Sequence, residues 1–548
     1  MEDTSKLYLT TAIAYANNRP GLHTLYEVLG ADVLARWSRA RGRPTRFLTG
    51  TDEHSVNIAQ RAQAEGLAPA DFVEAQVALF KAAENALYIC PDRFIRTSDP
   101  DHLRAAQELV LRAHARGDVY FGSYEGWYCP AEGFKAASEV EASGEPRCPN
   151  HPGLELQWLS EPNWFFRLSA YQKRLERHFA AHPDFVQPAF RRNEVLGLLR
   201  AGLSDFSISR TGSAWGIPFP LLPDGSSSLR PDGSADPAAG TIYVWFDALA
   251  NYLTGAGFPD RPRDLARWWP ADLQIIGKDI SKFHALYWPA ILWSAGLEAP
   301  RHIWVHGWLL AKGERHSKTQ GNFLDPEAAI KTLGPDGVRY AVLREVPFDG
   351  DAEVSRASLI GRYNTDLANN WGNLLSRVVS QVGRYAGGDR PPASGRTGLA
   401  GLWPAILAAY EAKLGACLLH EAIGALWGFC DAANRLIDAE RPWSLAQTAA
   451  DDQADPETRA AAQQRLEAVL GDLVEACRLL ATASAPLLPA TAPTALAALG
   501  YPYPYGSDGS TPVGTWEREL RWGAHAGEPG RVSGGRPLFP RLLLDSPV

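Results

Sequence analysis

The chain has 548 residues, 45% of them hydrophobic and 21% charged, with a formal net charge of −8 and six cysteines. That balance excludes a mainly disordered chain and a small disulfide-stapled one, and the length corresponds to about three to five domains. No basic composition announces a nucleic-acid partner, although a local patch can still bind a polyanion.

Met1 to Lys6 is polar and is not a signal peptide. Lys6–Tyr15 reads as a strand, and Asn17–Gly21 as a turn. A helix is expected from about Thr24 to Arg41, with Leu25, Leu29, Val33 and Trp37 on one face, stopped by Gly42 and Pro44. Thr45–Thr49 is a second strand. Strand, helix and strand in this order make a βαβ unit, so a parallel α/β sheet is expected. Ligands of such sheets sit at the strands' carboxyl ends, here the loops Tyr15–Thr24 and Gly50–Ser55. The first loop feeds a helix N-terminus, which favours a phosphate. Neither GxGxxG nor GxxxxGK[ST] is present.

The α/β pattern fades after about residue 116. Tyr124–Trp164, rich in Gly, Pro, Cys and aromatics, reads as an inserted module, and Gly225–Gly240 as a loop. The α/β pattern returns at Thr241–Phe246 and Leu273–Ile276. Leu359–Gly500 is helical throughout, and the last 48 residues are expected to wrap onto other domains. Leu479–Tyr501 is uncharged, but Pro486, Pro489 and Pro493 make it a helix end, a turn and a helix start. Cys90, Cys417, Cys430 and Cys477 lie in apolar stretches and read as core thiols of a cytoplasmic protein.

Three segments carry chemistry. In Gly277–Trp288, a strand ends in a glycine loop and Ile280, His284 and Trp288 follow at four-residue spacing, as in an apolar pocket with one polar handle. In Thr241–Tyr252, Trp245, Ala248 and Tyr252 again fall at helical spacing. Lys312–Asn322 is a Gly-flanked loop whose cations suit a triphosphate. Read alone, each has a structural alternative: a core face, an aromatic core and a solvated basic loop.

Together these segments resemble the methionyl-tRNA synthetases, of the class I aminoacyl-tRNA synthetases. The resemblance runs in order through Tyr15-Ala16-Asn17, Leu48-Thr49-Gly50-Thr51-Asp52-Glu53-His54, Tyr243-Val244-Trp245-Phe246-Asp247-Ala248, Gly277-Lys278-Asp279-Ile280 with His284 and Trp288, and Val305-His306-Gly307-Trp308. It implies a Rossmann-like α/β catalytic domain (residues 1–115 and 236–325) with an inserted connective-peptide domain (116–235). It also implies a linker (326–358), an all-α anticodon-binding bundle (359–500) and a C-terminal tail (501–548). The activity implied is the joining of methionine to tRNA(Met) through methionyl-adenylate, with ATP and its Mg²⁺ as substrate. The alternatives are a paralogue that binds without efficient turnover, or one that uses another acceptor. A monomer is expected, since no appended tRNA-binding module follows Pro537–Arg541.

The residues that resemble the methionine pocket are Ala12, Ile13, Tyr15, Trp245, Ala248, Leu249, Tyr252, Ile280, His284 and Trp288, a wall suited to a thioether. Asp52 resembles the carboxylate that holds the substrate ammonium. Gly277, Asp279 and His306 resemble the nucleotide site. The family's HIGH signature is altered: in Pro20-Gly21-Leu22-His23-Thr24, Gly21 and Thr24 stand at the histidine positions and His23 at the glycine. His23 and Thr24 would face the phosphates with Arg315, Ser317 and Lys318 of Arg315-His316-Ser317-Lys318-Thr319, the counterpart of KMSKS. Asn373 and Arg377, with Trp443, resemble the anticodon-reading elements, where tryptophan stacks on a base. The inserted module resembles a zinc knuckle with Cys129, Glu132, Cys148 and His151 as ligands; a metal-free knuckle packed by Trp127, Tyr128 and Phe134 is the alternative.

Overall fold

A computed structural model describes residues 6–129, 133–135, 147–148, 151–211, 215–230, 235–311, 314–315, 324–512, 514–534 and 537–543. Of these, 124–125, 128–129, 133–135, 148, 151–154, 159–161 and 314–315 are described by backbone alone. A parallel sheet forms the centre. Its strands include β1 (Leu7–Thr11), β2 (Ala14–Tyr15), β3 (Thr45–Asp52) and β4 (Arg93–Arg96), followed in sequence by Val186–Gln187, Leu273–Gly277 and Ile303–His306. In space the order is Val186–Gln187, Ile303–His306, Leu273–Gly277, β1, β3 and β2, with β4 also paired to β3. Every one of these pairings is parallel.

Helices cover both faces of the sheet. Helix α1 (Leu22–Ala40) is buried along nearly its whole length, sandwiched between the sheet and the helical region. Gly42, at φ +69°, carries the left-handed turn that ends it. Helix α2 (Val56–Ala64) starts on the Ser55 hydroxyl, which accepts the Ile58 N–H. Helices α3 (Pro69–Ala86) and α4 (Pro100–Ala115) follow, each with proline in its first turn.

Residues 119–207 also contribute an antiparallel sheet, in the order Phe206–Ser207, Gln157–Phe166, Val119–Cys129 and Gly133–Lys135. Helices then account for most of residues 356–498. Leu479–Tyr501 divides as its prolines require: one helix ends at Ser484 and the next spans Thr491–Ala498. No helix among the described residues is long and apolar enough to cross a membrane.

The tail returns to three places. Ser507 accepts from Arg36 of α1 at 2.8 Å, Leu520 accepts from the Trp403 indole at 2.6 Å, and Leu542 accepts from Asn364 at 2.9 Å. Cysteine placement differs from expectation at one position. Cys417, Cys430 and Cys477 are buried, but Cys90 is only half-buried and its sulfur receives the Arg36 guanidinium at 3.0 Å. The loop after α3 is pinned there by Asp32, whose carboxylate takes the Cys90 N–H at 2.9 Å.

Candidate active site

A cavity of about 1240 Å³, counted out to its open mouth, lies at the carboxyl edge of the sheet. Tyr15, Asp52, Gly277 and His306 line it, and each is the last residue of its strand. This is where open α/β sheets place their ligands.

The wall on one side is apolar. Helix Val244–Leu249 brings in Trp245, Ala248 and Leu249; helix Asn251–Ala256 brings in Tyr252; Ala12 and Ile13 close the β1 side. Trp245 lies flat on Phe283, ring centroids 3.9 Å apart at 5°. Ile280 and His284 enter from the segment after Gly277, which winds as a 3-10 turn and then a π-helical turn at Phe283–Tyr287. Trp288 is fully buried behind Tyr252, 6.0 Å between centroids, and supports the wall from outside the cavity.

His284 is the polar handle of that wall. Its Nδ1 lies 3.0 Å from the Ile280 carbonyl and its Nε2 2.7 Å from the Tyr252 hydroxyl. A carbonyl only accepts, so Nδ1 carries the proton and Nε2 accepts from Tyr252. Burial pushes the imidazole down to about 4 and keeps it neutral.

The opposite side is ionic. Asp52 is almost wholly buried, and burial first, the nearby Asp247 charge second, drive its carboxyl well above the usual range. A cationic ligand beside it would restore the carboxylate. Glu27 of α1 accepts the Ala12 N–H on one oxygen at 2.6 Å and meets His306 Nε2 at 2.7 Å with the other. His306 Nδ1 donates to the Gly307 carbonyl at 2.7 Å. Burial alone would push His306 down; the hydrogen bond and charge of Glu27 outweigh it and raise the imidazole above its ordinary value, while burial raises the Glu27 carboxyl in turn. At Gly277 a Cβ would meet Asp279 Oδ1 at 2.9 Å, so a larger residue there would have to displace the Asp279 carboxylate at the cavity.

His23 and Thr24 sit in the first turn of α1 at the cavity edge, His23 exposed and Thr24 half-buried. Helix N-termini attract anions through their dipole. Arg315 is placed in a short strand, Glu314–Arg315, by backbone only, and Ser317 and Lys318 lie outside the described residues. The knuckle residues Cys129, Cys148 and His151 are placed by backbone only, and Glu132 lies outside the description. Among the described residues no group of three His, Cys, Asp or Glu side chains could hold a metal.

Far from the cavity, Asn373 is exposed at the start of helix Asn373–Tyr385, and Arg377 one turn on bonds Asp438 at 2.7 Å. Trp443, 41% exposed, follows Arg441, whose φ of 45° turns the chain between two helices.

Sequence reasoning missed Glu27, Asp247 and His102. Glu27 follows His23 by four residues on α1, a spacing that could have exposed it. Asp247 and His54 stood inside motifs already singled out, while His102 carries no local signal.

A doubly covered parallel sheet with this cleft is the architecture of a class I tRNA synthetase, and the family model described as tRNA synthetases class I (M) matches residues 7–157 and 145–379. The chain is 42% identical over 501 residues to a methionine–tRNA ligase of Mycobacterium leprae, covering 90% of this chain and 89% of that protein. It is 38% identical over 552 residues to one from Thermosynechococcus vestitus, 98% of each chain. A Mycobacterium tuberculosis methionyl-tRNA synthetase, solved in complex with methionyl-adenylate, superimposes with a TM-score of 0.85 at 39% identity, over 98% of this chain and 100% of that one. The chain belongs to the methionyl-tRNA synthetases.

Proposed function

We propose that the cavity activates methionine with ATP and that the enzyme then esterifies tRNA(Met). The observation that carries this is the pairing, in one cavity, of an apolar wall with a single neutral imidazole and the buried Asp52 carboxyl, which burial holds well above the usual range. The wall suits a thioether, and Asp52 suits an ammonium. A methionine carboxylate oxygen attacks the α-phosphorus of ATP, and pyrophosphate leaves. The terminal ribose hydroxyl of tRNA then attacks the carbonyl carbon, and AMP leaves. No side-chain nucleophile is needed; positioning and charge stabilisation carry the reaction.

Asp52 takes the ammonium. Ala12, Ile13, Tyr15, Trp245, Ala248, Leu249, Tyr252, Ile280 and His284 enclose the side chain, backed by Trp288. Gly277, Asp279 and His306 serve the nucleoside. His23 and Thr24 take over the phosphate contacts of the altered signature, together with Arg315, Ser317 and Lys318, and Mg²⁺ arrives with ATP. Asn373, Arg377 and Trp443 read the anticodon from the helical region. The proposed domain limits are those drawn from the sequence, except that Val186–Gln187, inside the 116–235 span, is a strand of the central sheet and belongs with the catalytic domain. The enzyme works in the cytoplasm as a monomer, which sedimentation at working concentration checks. Elemental analysis separates the two readings of the knuckle: one zinc per chain, or none.

ATP–pyrophosphate exchange against all twenty amino acids, without tRNA, tests the activity. Exchange with methionine alone is expected. No exchange from a folded protein that still binds methionine would instead support the binding paralogue.

A further inference from the structure

Helix Val244–Leu249 turns Trp245, Ala248 and Leu249 into the cavity and Asp247 away from it. Asp247 is fully buried. Its two oxygens are each held by an imidazole: Oδ2 by His54 Nδ1 at 2.8 Å and Oδ1 by His102 Nε2 at 2.7 Å. His54 follows Asp52 by two residues, and its backbone N–H donates to Asp52 Oδ1 at 3.3 Å. His102 belongs to α4 and is fully buried; its Nδ1 meets the Thr254 hydroxyl at 3.2 Å. That hydroxyl donates to the Ala250 carbonyl at 3.1 Å, on the helix that carries Tyr252. One hydrogen-bonded chain thus joins the end of β3, α4 and both short helices of the pocket wall. None of His54, Asp247 and His102 lines the cavity.

We propose that the His54–Asp247–His102 bridge is a positioning device that fixes the separation of Asp52 from the pocket wall and so sets the length of side chain the enzyme accepts. The proposal rests on the reading of Asp52 as the ammonium anchor. The anchor and the wall lie on different elements, and the span between them is the molecule's measure of the amino acid. Asp52 and His54 share one strand end; Asp247 and the wall residues share one helical turn. The His54–Asp247 bond closes the short path between them. His102 occupies the second oxygen, so the carboxylate cannot swing on the first bond alone. Two hydrogen bonds to a carboxylate in a dry site are strong and directional. An apolar pocket separates substrates differing by one methylene by only about 10–200-fold, and only while its walls hold still. A bridge that stiffens the wall protects that margin.

The test measures kcat/KM in the exchange reaction for methionine, for ethionine (one methylene longer) and for S-methylcysteine (one shorter). Wild type is compared with His102→Leu, His102→Gln and Asp247→Asn, all as the full chain. The ratio of methionine to ethionine is internal to each sample, so partial unfolding does not move it. His102→Leu and Asp247→Asn are each expected to lower that ratio about tenfold with KM for ATP unchanged. His102→Gln, which keeps a donor toward Asp247, is expected to restore most of it. Equal losses for all three amino acids, in both His102→Leu and Asp247→Asn, would mean a merely structural cluster and overturn the proposal. Asp52→Asn is run alongside, against methionine and its des-amino analogue. If it leaves methionine KM unchanged, the anchor reading has failed. If it weakens methionine alone while the ratios stay fixed in the bridge variants, the anchor stands and the bridge proposal falls.

Discussion

His284 and Glu84 are two buried titratable groups with opposite effects on stability. His284 sits at about 4 in the folded chain because of burial, against an ordinary 6.5. The unfolded chain therefore takes up its proton first, and stability is lost as pH falls from 6.5 toward 4. Between pH 5 and 8 the ring is neutral, so it contributes no inflection to methionine KM there. Tyr252→Phe leaves His284 Nε2 buried without a donor. The expected cost is about 1–3 kcal/mol in thermal unfolding, with a raised methionine KM in the exchange assay. Glu84, buried on α3, is one of the residues that line the cavity. Burial first, and the Asp32 charge second, push its carboxyl up to about 8 from 4.5. The folded chain keeps a proton that the unfolded chain sheds, so stability falls as pH rises from 4.5 to 8. Across that window the carboxyl costs about 1.4 kcal/mol for every unit the pH climbs, and Glu84→Gln removes the cost. The variant's gain in melting temperature should be large at pH 8.5 and near zero at pH 4.5; equal gains at both would show that the carboxyl titrates normally.

At the scale of elements, α1 starts at Leu22 rather than near Thr24, so His23 and Thr24 belong to its first turn. The apolar face read correctly from Leu25 to Trp37; the boundary slipped because Gly21 caps the helix with no side-chain hydrogen bond to mark it. Placed in that turn, Thr24 offers one hydroxyl where the family signature has a histidine. Thr24→Ala is expected to lower kcat of exchange about 10²-fold or more, as loss of one transition-state donor does, with methionine KM little changed. Rapid-quench measurement of adenylate formation checks this. At Thr241–Phe246, where the α/β pattern returns, strand and helix meet within six residues. The Ile-Tyr-Val-Trp-Phe run has strand composition, yet only Thr241–Ile242 is strand and a helix begins at Val244. The aromatic residues serve the cavity and the core, and tertiary packing overrides their β preference. The site's linear motifs were legible because their residues are near neighbours in the chain. The pairs that organise those motifs were not: Glu27 and His306 are 279 residues apart, and His102 and Asp247 are 145 apart. No periodicity or spacing records such a partnership.

The whole molecule depends on a fully buried guanidinium where the sheet region meets the helical region. Arg339, on helix Pro326–Glu345, reaches Asp32 of α1 at 2.7 Å. It also donates to the Leu87 carbonyl after α3 at 3.0 Å, and to Pro486 and Leu487 at 2.9 and 2.8 Å. One side chain thus ties α1 and the end of α3, in the sheet region, to the turn between helices Pro456–Ser484 and Thr491–Ala498. Asp32 is shared with Arg36 at 2.9 Å. Burial would raise its carboxyl, but the Arg339 and Arg36 charges outweigh that and hold it below the usual range. Replacing a buried ion pair whole can be neutral, whereas removing one partner costs about 3–5 kcal/mol. Arg339→Met is the second case for three carbonyls and a partial case for Asp32, because Arg36 remains. It should lower stability by about that amount and broaden or split the unfolding transition, as the two regions lose their common fastening. Neither Arg339 nor Asp32 lines the cavity, so methionine and ATP KM at 25 °C should stay near wild type. Calorimetry paired with exchange kinetics checks both halves: a single sharp transition within a degree of wild type would show that apolar packing alone joins the regions.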